Sequence, residues 1–282
     1  MKGNYELKMP NLKPETPGEE LFLDYLARFS IPCRRWDRPQ GKQPDWIVTT
    51  TVQEFVAENK DLEWGVADDE VFQIAQAHGG AYASAGEPPL LKTHDRLVAA
   101  LEKLSAIPDE IPYVPVLFNN AGLPYTTDFA VSQALYGPTS LTQMVNQYGA
   151  LSRMQLTPKE DMSTEDDARL GFFGRTGTAR RISAVAVIWD VNHKHSNFLG
   201  YLFDHTPLDG FKNADIDSEH KRLKDEFDKL HQSDPRICVY HNPFAVVPIH
   251  SQTFAFDVDC RQVWFDRSQG NFVIQGEEAP PF

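Results

Sequence analysis

Cysteine is scarce in this sequence, and so are long apolar runs. The 282 residues include three cysteines, Cys33, Cys238 and Cys260. This odd and widely spaced set fits neither a disulfide framework nor a four-cysteine zinc site. No stretch reaches the ~18 to 20 apolar residues of a membrane span, and Met1 is followed by polar residues rather than by a signal-peptide leader. We therefore expect a cytoplasmic protein with no membrane partner.

Positive charge is also in short supply. Lys and Arg number 27 against 40 Asp and Glu, which gives a formal net charge of −13. This balance argues against a polybasic nucleic-acid binder, which depends on many contacts from Lys and Arg to phosphate. It leaves open an enzyme that acts on DNA. Residues 28–42 carry five basic side chains and one acidic one, and residues 54–70 carry seven acidic side chains and one basic one. Such neighbouring patches suit a metal-dependent phosphodiesterase, although solvated surface charge is the commoner cause.

The first 120 residues show a regular order of helix and strand patterns. Thr16 and Pro17 form a helix start, with Thr16 as N-cap and Glu19 three residues later. This helix should run to about Arg28 or Phe29, with Glu19 at the edge of its apolar stripe. Strands follow at about 33–36, 45–48 and 53–60, then a helix at about 95–105 capped by Thr93, then a strand at 113–118. The order helix, three strands, helix, strand predicts an α/β (α+β) core.

The strand at 53–60 carries charged side chains in an alternating pattern. Glu58 and Lys60 are two residues apart, so in a strand they leave the same face. A hairpin with its turn near Thr51 and Val52 would place Asp45 opposite Glu58. That turn contains neither Gly nor Asn, so turn chemistry does not by itself require a tight two-residue loop. By the same alternation, Asn59 should face the core.

These residues resemble the PD-(D/E)xK nuclease superfamily. Pro44-Asp45 is followed thirteen residues later by Glu58-Asn59-Lys60, and Glu19 lies upstream on a capped helix. The resemblance covers roughly residues 16 to 120 and implies a restriction-endonuclease-like core, a mixed sheet flanked by helices. It also implies a metal between Asp45 and Glu58, Lys60 beside the reacting phosphate, and Glu19 assisting. The sequence departs from the family at Asn59, where an apolar residue is usual, and Asp61 and Glu63 add negative charge near Lys60.

The cofactor expected from this resemblance is Mg²⁺ or Mn²⁺, and the expected partner is nucleic acid, in the first place DNA. A hard cation prefers oxygen ligands and needs only one or two carboxylates, which leaves positions for a phosphate oxygen and an attacking water. The expected reaction is hydrolysis of DNA phosphodiester bonds. The basic side chains expected to guide the phosphate backbone are Arg34, Arg35, Arg38 and Lys42. The alternative is a non-catalytic binding or assembly protein that keeps the fold, and a homo-oligomer or a protein partner stays open.

The chain divides by expectation into a flexible arm at 1–15, a nuclease-like core at 16–150 and a β-rich C-terminal extension at 151–282, packed on the core or part of the same domain. Within the second half we expect a short helix at 128–135 and a loop or insertion over 157–178. A buried strand at 182–189 should pair with 198–203, followed by a helix at 218–231 and a hairpin over 263–274. His193 and His195 form a rival metal pair, for which a polar turn is the commoner explanation.

Overall fold

The protein is described from a computed structural model. The structure describes residues 12–36, 43–62, 89–119, 128–137, 139–145, 151–158, 171–175, 177–190, 222, 223, 226, 233–266 and 271–276. Within these ranges the fold is α+β, with an eight-stranded mixed sheet and a few helices. No helix in this part of the chain has both the length and the apolar character needed to cross a membrane.

The described residues contain the following helices and strands, in chain order. The α-helices are α1 (Pro17–Arg28), α2 (Pro89–Leu101), α3 (Asp128–Tyr136) and α4 (Gly171–Arg175), and 3-10 turns lie at Leu104–Ala106, Gly177–Arg181 and Ser251–Phe254. The strands are β1 (Cys33–Arg35), β2 (Trp46–Thr49), β3 (Glu54–Leu62), β4 (Tyr113–Asn119), β5 (Thr139–Val145), β6 (Leu151–Pro158), β7 (Ala184–Asp190), β8 (Pro235–His241), β9 (Arg261–Asp266) and β10 (Asn271–Gln275).

The large sheet has the strand order β1-β2-β3-β4-β7-β8-β9-β10. The pairs β3 with β4, β4 with β7, and β8 with β9 are parallel, and the other neighbours are antiparallel. Strands β5 and β6 form a separate antiparallel pair. Strands β7 to β10 therefore extend the same sheet that the first 120 residues begin.

The predicted order of the first six elements is confirmed, and α1 begins where its cap was predicted. Thr16 is extended, and its hydroxyl accepts a hydrogen bond from the Glu19 amide. The expected cap at Thr93 is wrong, because α2 already begins at Pro89 and Thr93 is buried within it. Proline is well suited to the first helical position, where its missing amide costs nothing.

Each face of the sheet is covered by a different helix. Trp46, Phe55 and Ala57 pack with the apolar residues of α1, and we call this side the α1 face. Ile47 and Val56 pack with α2 and the turn after it, on what we call the α2 face. Because side chains alternate along a strand, Glu58 and Lys60 share the α2 face with Val56, whereas Asn59 and Asp61 lie on the α1 face.

The second half agrees with the sequence in part. The helix at 128–135 is confirmed as α3, and the hairpin over 263–274 is confirmed as β9 and β10, with Asp266 opposite Asn271. The buried strand is β7, which lies between β4 and β8 with every residue buried. Its expected partner at 198–203 lies outside the described residues, as does most of 218–231. Strand β8 was not predicted. The expected loop at 157–178 instead contains the end of β6 and helix α4 in its described part.

Candidate active site

The hairpin of β2 and β3 brings the predicted carboxylates to the same row of the sheet. Trp46 pairs with Ala57 and Ile47 pairs with Val56, so the register continued by one residue sets Asp45 opposite Glu58. The predicted register is therefore confirmed. The turn needs no glycine, because the Thr50 hydroxyl accepts hydrogen bonds from the amides of Val52 and Gln53, at 3.3 and 3.2 Å.

Glu58 is a buried carboxylate with two lysines on one of its oxygens. The residue is 1% exposed. Its Oε1 lies 2.6 Å from Lys60 Nζ and 3.4 Å from Lys103 Nζ. The other oxygen, Oε2, is buried and accepts no hydrogen bond from any residue within the described ranges. A buried acceptor without a donor is costly, so this oxygen is suited to a ligand that the protein chain does not supply.

Asp45 is held by the backbone of the facing strand. Its Oδ2 accepts a hydrogen bond of 2.7 Å from the Asn59 amide. Burial, and then the negative charge of Glu58, raise the pKa of Asp45 to about 7, and the charge of Glu19 adds to the increase. The Asn59 amide and the Lys103 ammonium act in the opposite direction. The negative charges of the two carboxylates therefore repel each other, and a divalent cation bound between them would relieve this repulsion.

Glu19 is held by groups from the start of α1 and from β1. Its carboxylate is buried at the start of α1, where Oε2 accepts hydrogen bonds from Arg35 at 2.8 Å and from the Glu15 amide at 3.0 Å. Arg35 also stacks over the ring of Trp46 at 4.0 Å, on the α1 face. The structure therefore brings Asp45, Glu58 and Lys60 together, and Glu19 lies near enough for its charge to add to the raised pKa of Asp45.

The basic residues expected to guide phosphate occupy different places. The guanidinium of Arg35 is held by Glu19 and by the Lys13 carbonyl oxygen, and its side chain is partly exposed. Arg34 is exposed, and its guanidinium lies 3.9 Å from Glu54, four residues before Glu58 on β3. Arg38 and Lys42 lie outside the described residues.

Asn59 and Asp61 attach the first turn of α1 to β3. The Asn59 side chain accepts a hydrogen bond from Trp46 Nε1 at 3.1 Å and donates one to the Gly18 carbonyl oxygen at 3.1 Å. The Asp61 carboxylate accepts from the Gly18 amide and the Thr16 hydroxyl, each at 3.2 Å. The polar side chain at 59 therefore has both a donor partner and an acceptor partner on a buried face. Asp61 also points away from Lys60, contrary to the expectation that its charge lies close to that lysine.

Comparison with protein-family models, with curated proteins and with solved structures gave no match. The candidate site is accordingly defined by its own geometry. Within the ranges that the structure describes, no three His, Cys, Asp or Glu side chains gather as a metal-ligand cluster, so the candidate ligands are the two carboxylates of Asp45 and Glu58. His193 and His195 lie outside these ranges.

Lys103 is the functional candidate that sequence reasoning missed. It follows α2 by two residues and reaches Glu58 across a separation of 45 positions in the chain. It also donates a hydrogen bond to the Gln43 carbonyl oxygen, just before Asp45. Nothing local marks this lysine, because its role depends on the return of α2 across the sheet.

Proposed function

We propose that this protein is a metal-dependent nuclease of the PD-(D/E)xK type that hydrolyses DNA phosphodiester bonds. The proposal is carried by one observation, the buried Glu58 carboxylate with an unpartnered Oε2, opposite Asp45 and beside Lys60. The order of α1, three antiparallel strands, α2 and a parallel strand is also the order of the restriction-endonuclease-like core.

The two carboxylates fit a hard divalent cation. Glu58 Oε2 is a free acceptor among the described residues, and Asp45 keeps one carboxylate oxygen beyond the one that the Asn59 amide binds. Mg²⁺ or Mn²⁺ favours such oxygen ligands and tolerates a site with only two of them. When bound, the ion would polarise a phosphoryl oxygen and make a bound water more acidic.

The remaining residues have roles that follow from their contacts. The Asn59 amide fixes one oxygen of Asp45 and so orients that carboxylate. The Lys60 ammonium, 2.6 Å from Glu58, supplies positive charge next to the position of a reacting phosphate, where negative charge builds up during attack by water. The net reaction adds one water across a P–O bond and releases a phosphomonoester and a hydroxyl group.

A cleavage assay tests the proposal. Single- and double-stranded DNA and RNA are incubated with the protein and Mg²⁺ or Mn²⁺, in parallel with the variants Lys60→Ala and Glu58→Gln. We expect each variant to lower the rate by about 100-fold or more, since each loses charge at the reacting centre. Glu54→Gln is the matched control, because Glu54 lies on the same strand and the same face but is exposed and remote from Lys60.

Two results would overturn the proposal. The first is a parent protein that cuts none of these substrates with either metal, which would favour the non-catalytic binding or assembly protein. The second is cleavage that persists unchanged in Glu58→Gln, which would assign the activity to another site or to a contaminant.

A further inference from the structure

Lys103 places a second ammonium beside the Glu58 carboxylate. Lys60 alone satisfies Glu58 Oε1 at 2.6 Å, yet Lys103 Nζ lies 3.4 Å from the same oxygen. The two lysine side chains are 18% and 19% exposed. A divalent cation bound by the two carboxylates would compete with both ammoniums for their negative charge, and the ammoniums would then need another anionic partner. The arrangement is suited to a second anion.

The charge of the cluster agrees with a phosphate as that anion. The cluster has two lysines against the two carboxylates of Asp45 and Glu58. A divalent cation bound by those carboxylates therefore leaves an excess of two positive charges. A phosphodiester carries one negative charge, and the transition state of its hydrolysis gathers more of that charge on the phosphoryl oxygens.

We infer that Lys103 is a second phosphate-binding cation of this site, which contacts the scissile or the adjacent phosphate of a nucleic-acid strand. The inference rests on the proposed function for the identity of the substrate. It assigns the two lysines to separate elements, since Lys60 belongs to β3 and Lys103 follows α2. A phosphate between them would be held from two directions.

A purely structural role for Lys103 is the competing explanation. Its hydrogen bond to the Gln43 carbonyl oxygen ties the end of α2 to the chain that enters β2, and Asp45 lies two residues further on. In that case a loss of Lys103 would misplace Asp45. It would weaken metal binding as much as it weakens nucleic-acid binding.

The test measures binding apart from cleavage. Fluorescence anisotropy of a labelled 16-nucleotide duplex is recorded in EDTA over a range of salt concentrations, for the parent, Lys103→Met and Lys103→Arg. One phosphate contact contributes about 0.9 to the slope of log K against log salt, and this corresponds to about eightfold in affinity at ~0.1 M salt. We expect Lys103→Met to lose this contribution to the slope and about eightfold in affinity. Lys103→Arg should keep most of the slope and most of the affinity.

Two further measurements separate the explanations. The rise in Tm on adding Mg²⁺ should be the same in Lys103→Met as in the parent, since both metal-binding carboxylates remain, while kcat/KM for cleavage falls by about tenfold or more. Lys92→Met is the matched control on α2 and should retain the parent's salt slope and Tm shift.

The outcomes are distinct. An unchanged slope and affinity in Lys103→Met, with a parent that cleaves, overturns the role of Lys103 but leaves the nuclease intact. A Mg²⁺-dependent Tm shift lost in Lys103→Met also overturns it, in favour of the structural role. If the parent binds the duplex with a slope that Lys103→Met reduces, but cuts nothing, then the phosphate contact is supported and the nuclease proposal fails. A parent that neither binds nor cuts overturns both.

Discussion

Replacing Asp45 with Asn should make the stability of the protein less dependent on pH. Burial and the Glu58 charge raise the pKa of Asp45 from 3.8 to about 7, so the folded state keeps a proton that the unfolded state has already lost. The stabilisation from this proton is complete below pH 3.8 and is lost as the pH rises through 7. Asn resembles the protonated acid and can still accept the hydrogen bond from the Asn59 amide.

The size of the effect follows from the shift. A change of about three pKa units corresponds to about 4 kcal/mol at most. Because Asp45 is partly exposed, solvent screens part of this energy, and we expect about half of it, about 2 kcal/mol. In EDTA, the free energy of unfolding of Asp45→Asn, relative to that of the parent, should therefore increase by about 2 kcal/mol between about pH 4 and about pH 8.

Urea denaturation followed by circular dichroism at several pH values measures this difference. Asp95→Asn serves as the control, because it removes an exposed carboxylate on α2. Parallel stability curves for the parent and Asp45→Asn across this pH range would refute the reasoning, since they would show that Asp45 ionises in the folded protein as it does in the unfolded chain.

Three further substitutions test the contacts that support the site, each measured by urea denaturation. Asn59→Leu should cost about 1 to 3 kcal/mol, because it leaves the buried Trp46 ring N–H without its acceptor and removes the bond from β3 to the Gly18 carbonyl; no loss would show that these hydrogen bonds are dispensable. Gly18→Ala should cost about 1 to 3 kcal/mol, since its Cβ would lie 2.2 Å from Asp61 Oδ1 and 2.9 Å from the Cβ of Phe118; a neutral result would mean that α1 shifts freely. Arg35→Gln should destabilise the protein by about 2 to 4 kcal/mol, because it leaves the buried Glu19 carboxylate without its cation. A variant that is stable but binds DNA more weakly would instead indicate that Arg35 contacts phosphate.

Local patterns were enough to predict the hairpin that carries the site. A turn near Thr51 and Val52 implies the register that sets Asp45 opposite Glu58, and the observed pairs of Trp46 with Ala57 and Ile47 with Val56 have this register. The cap of α1 was predictable for a similar reason. Thr16, Pro17 and Glu19 lie within four residues of one another, and the Thr16 hydroxyl accepts a hydrogen bond from the Glu19 amide. In both cases the deciding interactions are short-range in the chain.

The features that escaped prediction depend on distant partners. Asn59 stands where the resemblance implies an apolar residue. Its hydrogen bonds are made with Trp46 and Gly18, which lie 13 and 41 residues away in the chain. Lys103 reaches Glu58 only because α2 packs back across the sheet. Strand β8 pairs with β7 over a separation of roughly 50 residues, so its partner could not be inferred from a turn. Periodicity identifies faces and elements, but it does not identify partners across such separations.

The proposed nuclease depends first on the binding of a divalent cation by Asp45 and Glu58. Titration of Mn²⁺ into the metal-free protein, followed by calorimetry, measures this directly in the parent, Glu58→Gln and Glu54→Gln. We expect a saturable site of one ion per chain in the parent and in Glu54→Gln, and binding weaker by about tenfold or more in Glu58→Gln, because the amide lacks the charge that a hard cation requires. Equal affinity in Glu58→Gln, or no binding by the parent up to ~10 mM Mn²⁺, would show that Asp45 and Glu58 do not form a metal site.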